Sequence, residues 1–206
     1  EGVKVIRTNA FRNSLVKLIY LPLSIETINS GAFYNTTNIE TIHLPGHIKL
    51  DQLYSTINQP QNLTTIHYQI GSTEIVATSL AGFSNITTIT IPNTVTTIGN
   101  GAFRNTSITS IELKENLSIV GAYAFANTNI TSITLPSTVV EIGEYAFNNC
   151  SNLTVINVKA ITPPVITYLV SNTNNLRIYV PTRWYAIYCS DPNWQKYESI
   201  LWFKDF

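Results

Sequence analysis

One phrase recurs along this chain: an apolar residue, any two residues, an apolar residue, any one residue, and a third apolar residue. It reads Val16-Ile19-Leu21, Ile39-Ile42-Leu44, Leu63-Ile66-Tyr68, Ile86-Ile89-Ile91, Ile108-Ile111-Leu113, Ile130-Ile133-Leu135 and Leu153-Ile156-Val158. The first members are separated by 23, 24, 23, 22, 22 and 23 residues. A period this constant marks a repeat architecture, in which one unit cannot bury its own apolar face and stacked units share a continuous core.

The rest of each unit repeats as well. After Pro22, Pro92 and Pro136 an apolar residue follows at +3 (Ile25, Val95, Val139) and another at +6 (Ile28, Ile98, Ile142). An Ala-Phe pair then closes the unit, at Ala32-Phe33, Ala102-Phe103, Ala124-Phe125 and Ala146-Phe147. Alternation such as Thr88-Ile89-Thr90-Ile91 turns two side chains inward and two outward on a short strand. Proline at the strand end stops the ladder. The expected fold is a mostly β solenoid: short parallel strands form one face, irregular or short helical turns the other, and Phe33, Phe103, Phe125 and Phe147 stack as an internal spine.

The pattern places the repeats at residues 1–158, with a partial first unit and seven strand units. Residues 159–206 read as a C-terminal aromatic cap carrying Trp184, Trp194 and Trp202, all three expected to pack rather than to form a sugar-stacking platform. Two units depart from the pattern. Residues 45–62 lack the Ala-Phe pair, and the next unit has Leu80 where Phe belongs and Phe83 three residues later. The chain starts inside a unit and has no Met, which suggests a mature or trimmed piece of a longer protein.

Composition excludes several classes of function. Twelve basic residues balance twelve acidic ones and only 12% of the chain is charged, so the clustered Lys and Arg of a nucleic-acid or polybasic membrane binder are missing. No apolar run approaches the ~20 residues of a membrane helix. Disorder is excluded by 44% hydrophobic residues at zero net charge. The sequence has no GxSxG elbow and no Gly-rich phosphate loop, and it does not read as an enzyme or as a cofactor binder. Asn-x-Ser/Thr triplets are frequent, but most arise from the repeat phrase itself.

The unit resembles the leucine-rich repeats of the Bacteroides-surface-protein-A (BspA) type. ITTITIPNTVTTIGNGAF (86–103) and ITSITLPSTVVEIGEYAFNNCSNL (130–153) follow that pattern almost position for position. The small residue after Ala-Phe is held by Thr36, Thr106, Thr128 and Cys150, and the ending Val180-Pro181, Tyr188, Trp194, Tyr197 and Ile200 is similar to the family's own. The resemblance implies a leucine-rich-repeat solenoid on a cell-surface or secreted protein. It also implies an adhesin or host-interaction module that binds a protein, with host matrix or serum proteins among the candidates, or a glycan, through its concave strand face.

Outward strand positions supply the candidate contacts. The column between the second and third core residues is Tyr20, His43, His67, Thr90, Glu112, Thr134 and Asn157, and the column two residues earlier begins at Leu18. Its middle is a Thr and Ser ladder, but Leu18, Tyr20, His43 and His67 form an aromatic and imidazole patch suited to a protein hot spot. The ligand-binding candidates are therefore Leu18, Tyr20, His43, His67, Thr90, Glu112, Thr134 and Asn157. His43 and His67, with His47 nearby, raise a metal reading, but no carboxylate or Cys completes the shell. Two other readings compete with binding. One is a spacer that presents another domain, and the other is a Thr-x-Thr ice-binding array, which only Thr88-Ile89-Thr90 supplies cleanly.

Overall fold

The protein is described here by a computed structural model covering residues 2–52, 60–171 and 175–206. Eight short strands make up the main face: β1 (Leu18–Tyr20), β2 (Thr41–Leu44), β3 (Thr65–Tyr68), β4 (Thr88–Thr90), β5 (Ser132–Leu135), β6 (Val155–Val158), β7 (Arg177–Pro181) and β8 (Leu201–Lys204). All pair in parallel, and the pairing is in register with the repeat, Ile19 beside Ile42, Ile42 beside Ile66 and Ile66 beside Ile89. These isoleucines point inward and are buried, as alternation requires.

A second row of two-residue strands runs along another side. Val5–Ile6 pairs with Thr27–Ile28. Glu74–Ile75, Thr97–Ile98, Ile119–Val120, Glu141–Ile142 and Val165–Ile166 pair in that order. The +6 apolar residues of the sequence pattern, Ile28, Ile98 and Ile142, are buried members of this row, with Ile6, Ile75, Val120 and Ile166 in the same place. The chain is thus a parallel β solenoid, as the period predicts.

The phenylalanine spine forms in two pieces rather than one. Phe125 lies 5.3 Å from Phe103 and 5.5 Å from Phe147, and Phe33 stacks on Phe11 at 5.0 Å, but the degenerate units separate the two groups. There Leu50 and Leu80 are buried. Tyr68 enters from β3 to reach within 6.2 Å of Phe103. Its hydroxyl shares a 2.8 Å hydrogen bond with Ser79, which donates onward to the Ile48 carbonyl at 3.1 Å. An aromatic from the strand side thus reaches the spine where the Ala-Phe pair is missing, and burial pushes its phenol far above the ordinary range. Residues 53–59 of the degenerate stretch lie outside the described residues.

Corners repeat with equal economy. Asn13, Asn35, Asn105, Asn127 and Asn149 all adopt positive φ, which Asn tolerates better than most residues. Two pairs bridge layers, Asn35 donating to Asn13 at 3.0 Å and Asn127 to Asn105 at 2.7 Å. Thr36, Thr106 and Thr128 are buried and donate to the carbonyls of Phe33, Phe103 and Phe125 at 2.6, 2.8 and 2.8 Å. Cys150 takes the same corner with its thiol on the Phe125 carbonyl at 3.1 Å, and burial raises its pKa. Cys150 and Cys189 are both free thiols.

Two expectations are corrected. The seven strand units do not form one ladder, because residues 108–113 form no strand. The main face is therefore a sheet of β1–β4 and a second sheet of β5–β8. Ile111 and Leu113, core positions by the pattern, are only half-buried there. The repeat also does not end at Val158 as a strand face: β7 pairs with β6, and β8 pairs with β7. The closing segment extends the ladder while it covers the core.

That covering rests on fewer tryptophans than expected. Trp194 is fully buried, with its indole N–H on the Pro164 carbonyl at 2.8 Å and its ring edge-on to Tyr188 at 5.0 Å. Tyr188, from the helix α1 (Tyr185–Ser190), donates to the Ala160 carbonyl at 2.7 Å. Trp184 is half-buried and Trp202 is exposed, so neither is a core residue.

Candidate functional site

Parallel strands repeat about every 4.8 Å, and that spacing decides what outward side chains on neighbouring strands can do. Tyr20, His43 and His67 occupy the same register on β1, β2 and β3. Their rings follow at 5.0 Å between Tyr20 and His43 and 4.9 Å between His43 and His67, with interplanar angles of 28° and 33°. Thr90 on β4 ends the row through a 2.7 Å hydrogen bond to His67 Nδ1. The four residues thus form one continuous strip across the sheet. Tyr20 is 65% exposed, and Leu18 beside it 58%. An apolar cavity of about 270 Å³ opens next to them, lined by Val3, Phe11, Val16, Leu18, Tyr20 and Phe33.

Stacking has an electrostatic consequence. Partial burial lowers the His67 pKa below 6.5, and the neighbouring His43 imidazole lowers it further. The shift favours the neutral form of His67, whose Nδ1 is hydrogen-bonded to Thr90. His47 does not join the pair, because its Nε2 is engaged with the Ile25 carbonyl at 2.6 Å. Among the described residues no three His, Cys, Asp or Glu side chains gather as a metal shell.

The remaining candidates fall elsewhere on the face. Glu112 lies on the segment without a strand and pairs with Lys114. Thr134 and Asn157 are register neighbours on β5 and β6, joined by a 3.1 Å hydrogen bond from Asn157 Nδ2. The column of candidates is thus two groups with the 108–113 break between them.

The same column continues beyond Val158, where the repeat phrase stops. Tyr179 sits beside Asn157, and Trp202 beside Tyr179. Arg177, two residues before Tyr179, places its guanidinium 5.0 Å from the Trp202 ring centre. The legible signal was the alternation Ile178-Tyr179-Val180, which keeps the inward-outward pattern although Leu176 sits one residue out of register.

The family model described as the BspA type leucine rich repeat region matches six copies across residues 1–84 and 73–188. The chain belongs to this family. Its BspA-type repeats account for the period. No curated protein matches the chain. Among solved structures, the pneumococcal vaccine antigen PcpA is 17% identical, with 98% of this chain and 58% of that chain covered at a TM-score of 0.50. A leucine-rich repeat protein from Bacteroides ovatus is 21% identical, covering 86% and 59% at a TM-score of 0.49. A leucine rich cell surface protein from Faecalibacterium prausnitzii is 20% identical, covering 82% and 52% at 0.48. The chain spans little more than half the length of these structures. At 17% identity the likeness to PcpA is one of fold.

Proposed function

We propose that this BspA-type protein is a non-catalytic binding module, on the cell surface or secreted, that engages a protein partner through the β1–β4 strand face. The observation that carries this reading is the strip Tyr20-His43-His67-Thr90, an ordered aromatic and imidazole surface beside an open apolar cavity. Aromatic anchors with a pocket beside them are the usual centre of a protein hot spot, because their rings bury much area while losing little side-chain entropy. Membership of the family and the likeness of fold to a protein described as a vaccine antigen support an exposed location. A host matrix or serum protein is the kind of partner proposed, with a glycan as the alternative occupant.

The test is a binding screen against purified matrix and serum proteins, run beside a Tyr20→Ala/His43→Ala/His67→Ala variant whose fold is checked by circular dichroism. The expected result is one or more partners bound by the parent and lost by the folded variant. Binding that survives in the variant moves the site off this strip. A screen in which nothing binds favours the spacer reading, in which the repeats hold another domain away from the surface.

A further inference from the structure

The other end of the strand face differs in chemistry. On β7 and β8 alternation turns Arg177, Tyr179, Trp202 and Lys204 outward, with Tyr179 beside Trp202 and Pro181 beside Lys204. Lys204 Nζ lies 5.9 Å from the Tyr179 ring centre, and the Arg177 guanidinium lies 5.0 Å from that of Trp202. Trp202 keeps 47% of its surface in water. Among the described residues its indole N–H has no hydrogen-bond partner, and neither Arg177 nor Lys204 has a carboxylate partner. By contrast Lys4, Lys17, Lys114 and Lys159 are each paired with a Glu. The outward positions of β6, β7 and β8 (Val155, Asn157, Arg177, Tyr179, Trp202 and Lys204) include no Asp or Glu. A cavity of about 520 Å³ opens here, lined by Val155, Arg177, Tyr179, Ser199, Ile200 and Trp202.

We infer that this end of the face is a second site, independent of the Tyr20 strip, for an oligosaccharide bearing a uronate carboxylate. Each feature has a matching group on such a ligand. The indole face not covered by Arg177, on the edge strand of the sheet, offers an apolar plane to the C–H face of a pyranose ring, and its free N–H donates to a ring hydroxyl. The guanidinium fork fits a planar carboxylate with two parallel hydrogen bonds, which a point charge alone does not demand. The Lys204 ammonium adds a second attraction, unopposed by any acid on the face. The cavity lies within the roughly 300–1,000 Å³ of small-ligand sites, and a protein interface needs a broader surface.

The experiment is calorimetric titration of the full chain with trigalacturonate, beside maltotriose, a hexaglutamate peptide and a sulfated dextran hexasaccharide, which is anionic but has no uronate. The variants are Trp202→Ala, Trp202→Phe, Arg177→Gln and Tyr20→Ala, each checked for fold by circular dichroism. Saturable binding of trigalacturonate is expected, at least about tenfold weaker in Trp202→Ala and in Arg177→Gln. Trp202→Phe should bind within a few-fold of the parent, Tyr20→Ala should bind unchanged, and maltotriose should bind at least about tenfold more weakly for lack of the carboxylate. The inference is overturned if the folded parent does not bind trigalacturonate, or if folded Trp202→Ala binds as the parent does. It is equally overturned if hexaglutamate or the sulfated dextran fragment binds as tightly as trigalacturonate, because the site then reads charge alone. Since Tyr20→Ala leaves this site intact, its failure and that of the partner-binding reading remain distinguishable.

Discussion

Single side chains carry the layer-to-layer contacts of this solenoid, and their substitution should be felt in proportion to how many layers they join. Phe125 is fully buried between Phe103 and Phe147. Phe125→Ala should lower unfolding free energy by about 3–5 kcal/mol in urea titration, because a cavity opens between two aromatic rings that cannot both collapse into it. Gly121 marks a close approach instead: a Cβ there would stand 2.6 Å from the Asn100 backbone nitrogen and 2.6 Å from the Gly99 carbonyl carbon. Gly121→Ala should cost roughly 1–3 kcal/mol by the same measurement. His67 has its pKa held below 6.5, so the unfolded chain takes up its proton first as pH falls. Its contribution to stability is complete above 6.5 and is lost as pH drops from there towards the lowered value. An imidazole titration by NMR should place His67 below the ordinary range, and His43→Asn should move it upward by removing the neighbouring imidazole. A value for His67 above 6.5 would contradict the stacked geometry. At this scale the Asn corners emerge only with the backbone, although the residue two after Ala-Phe recurs as Asn. Tyr123 and Tyr145 were not readable as corner residues, although they hold positive φ where Gly31 and Gly101 stand in other units. There a tertiary ladder of rings, Tyr123 to Tyr145 at 5.5 Å and Tyr145 to Tyr168 at 5.6 Å, overrides local preference.

The element scale shows where repeat logic holds and where it gives way. Six of the seven phrases found in the sequence are strands, in the expected register. Ile108-Ile111-Leu113 fits the pattern as well as any of them and yet forms none, with Lys114 in the place that Pro22, Pro45, Pro92 and Pro136 hold elsewhere. Pattern records which side chains face inward, and pairing depends on backbone approach between neighbours, which the pattern does not encode. Among the described residues, no backbone N–H from Thr109 to Leu113 donates to a neighbouring layer. Hydrogen exchange should therefore be fast at residues 109–113 and slow at Ile42, Ile66 and Ile156, which lie between two strands. Uniform protection through 109–113 would refute the break. The strands of the closing segment were missed for the converse reason. Leu176 is one residue out of register, and α1 together with other turns separates β7 from β8, so no fixed spacing announces them.

On the scale of the whole molecule, zero net charge and a two-part strand face set how the protein meets a partner. Without a long-range field, association at the Tyr20 strip should depend weakly on ionic strength, its on-rate changing less than about threefold between low and high salt in stopped-flow measurements. The solenoid itself was legible from the period, because only stacking lets such units bury their apolar faces. The candidate site was legible in part: sequence placed Tyr20, His43 and His67 in one column, while the ring spacing and the role of Thr90 needed the register. The central claim is that the β1–β4 face is where a partner sits. Its most direct test is hydrogen-exchange mapping of the protein alone and in complex with the tightest binder from the matrix and serum screen. The account predicts new protection concentrated at residues 18–20, 41–44 and 65–68. Protection confined to the Asn corners at 103–106 and 125–128, with the strand face unchanged, would contradict it.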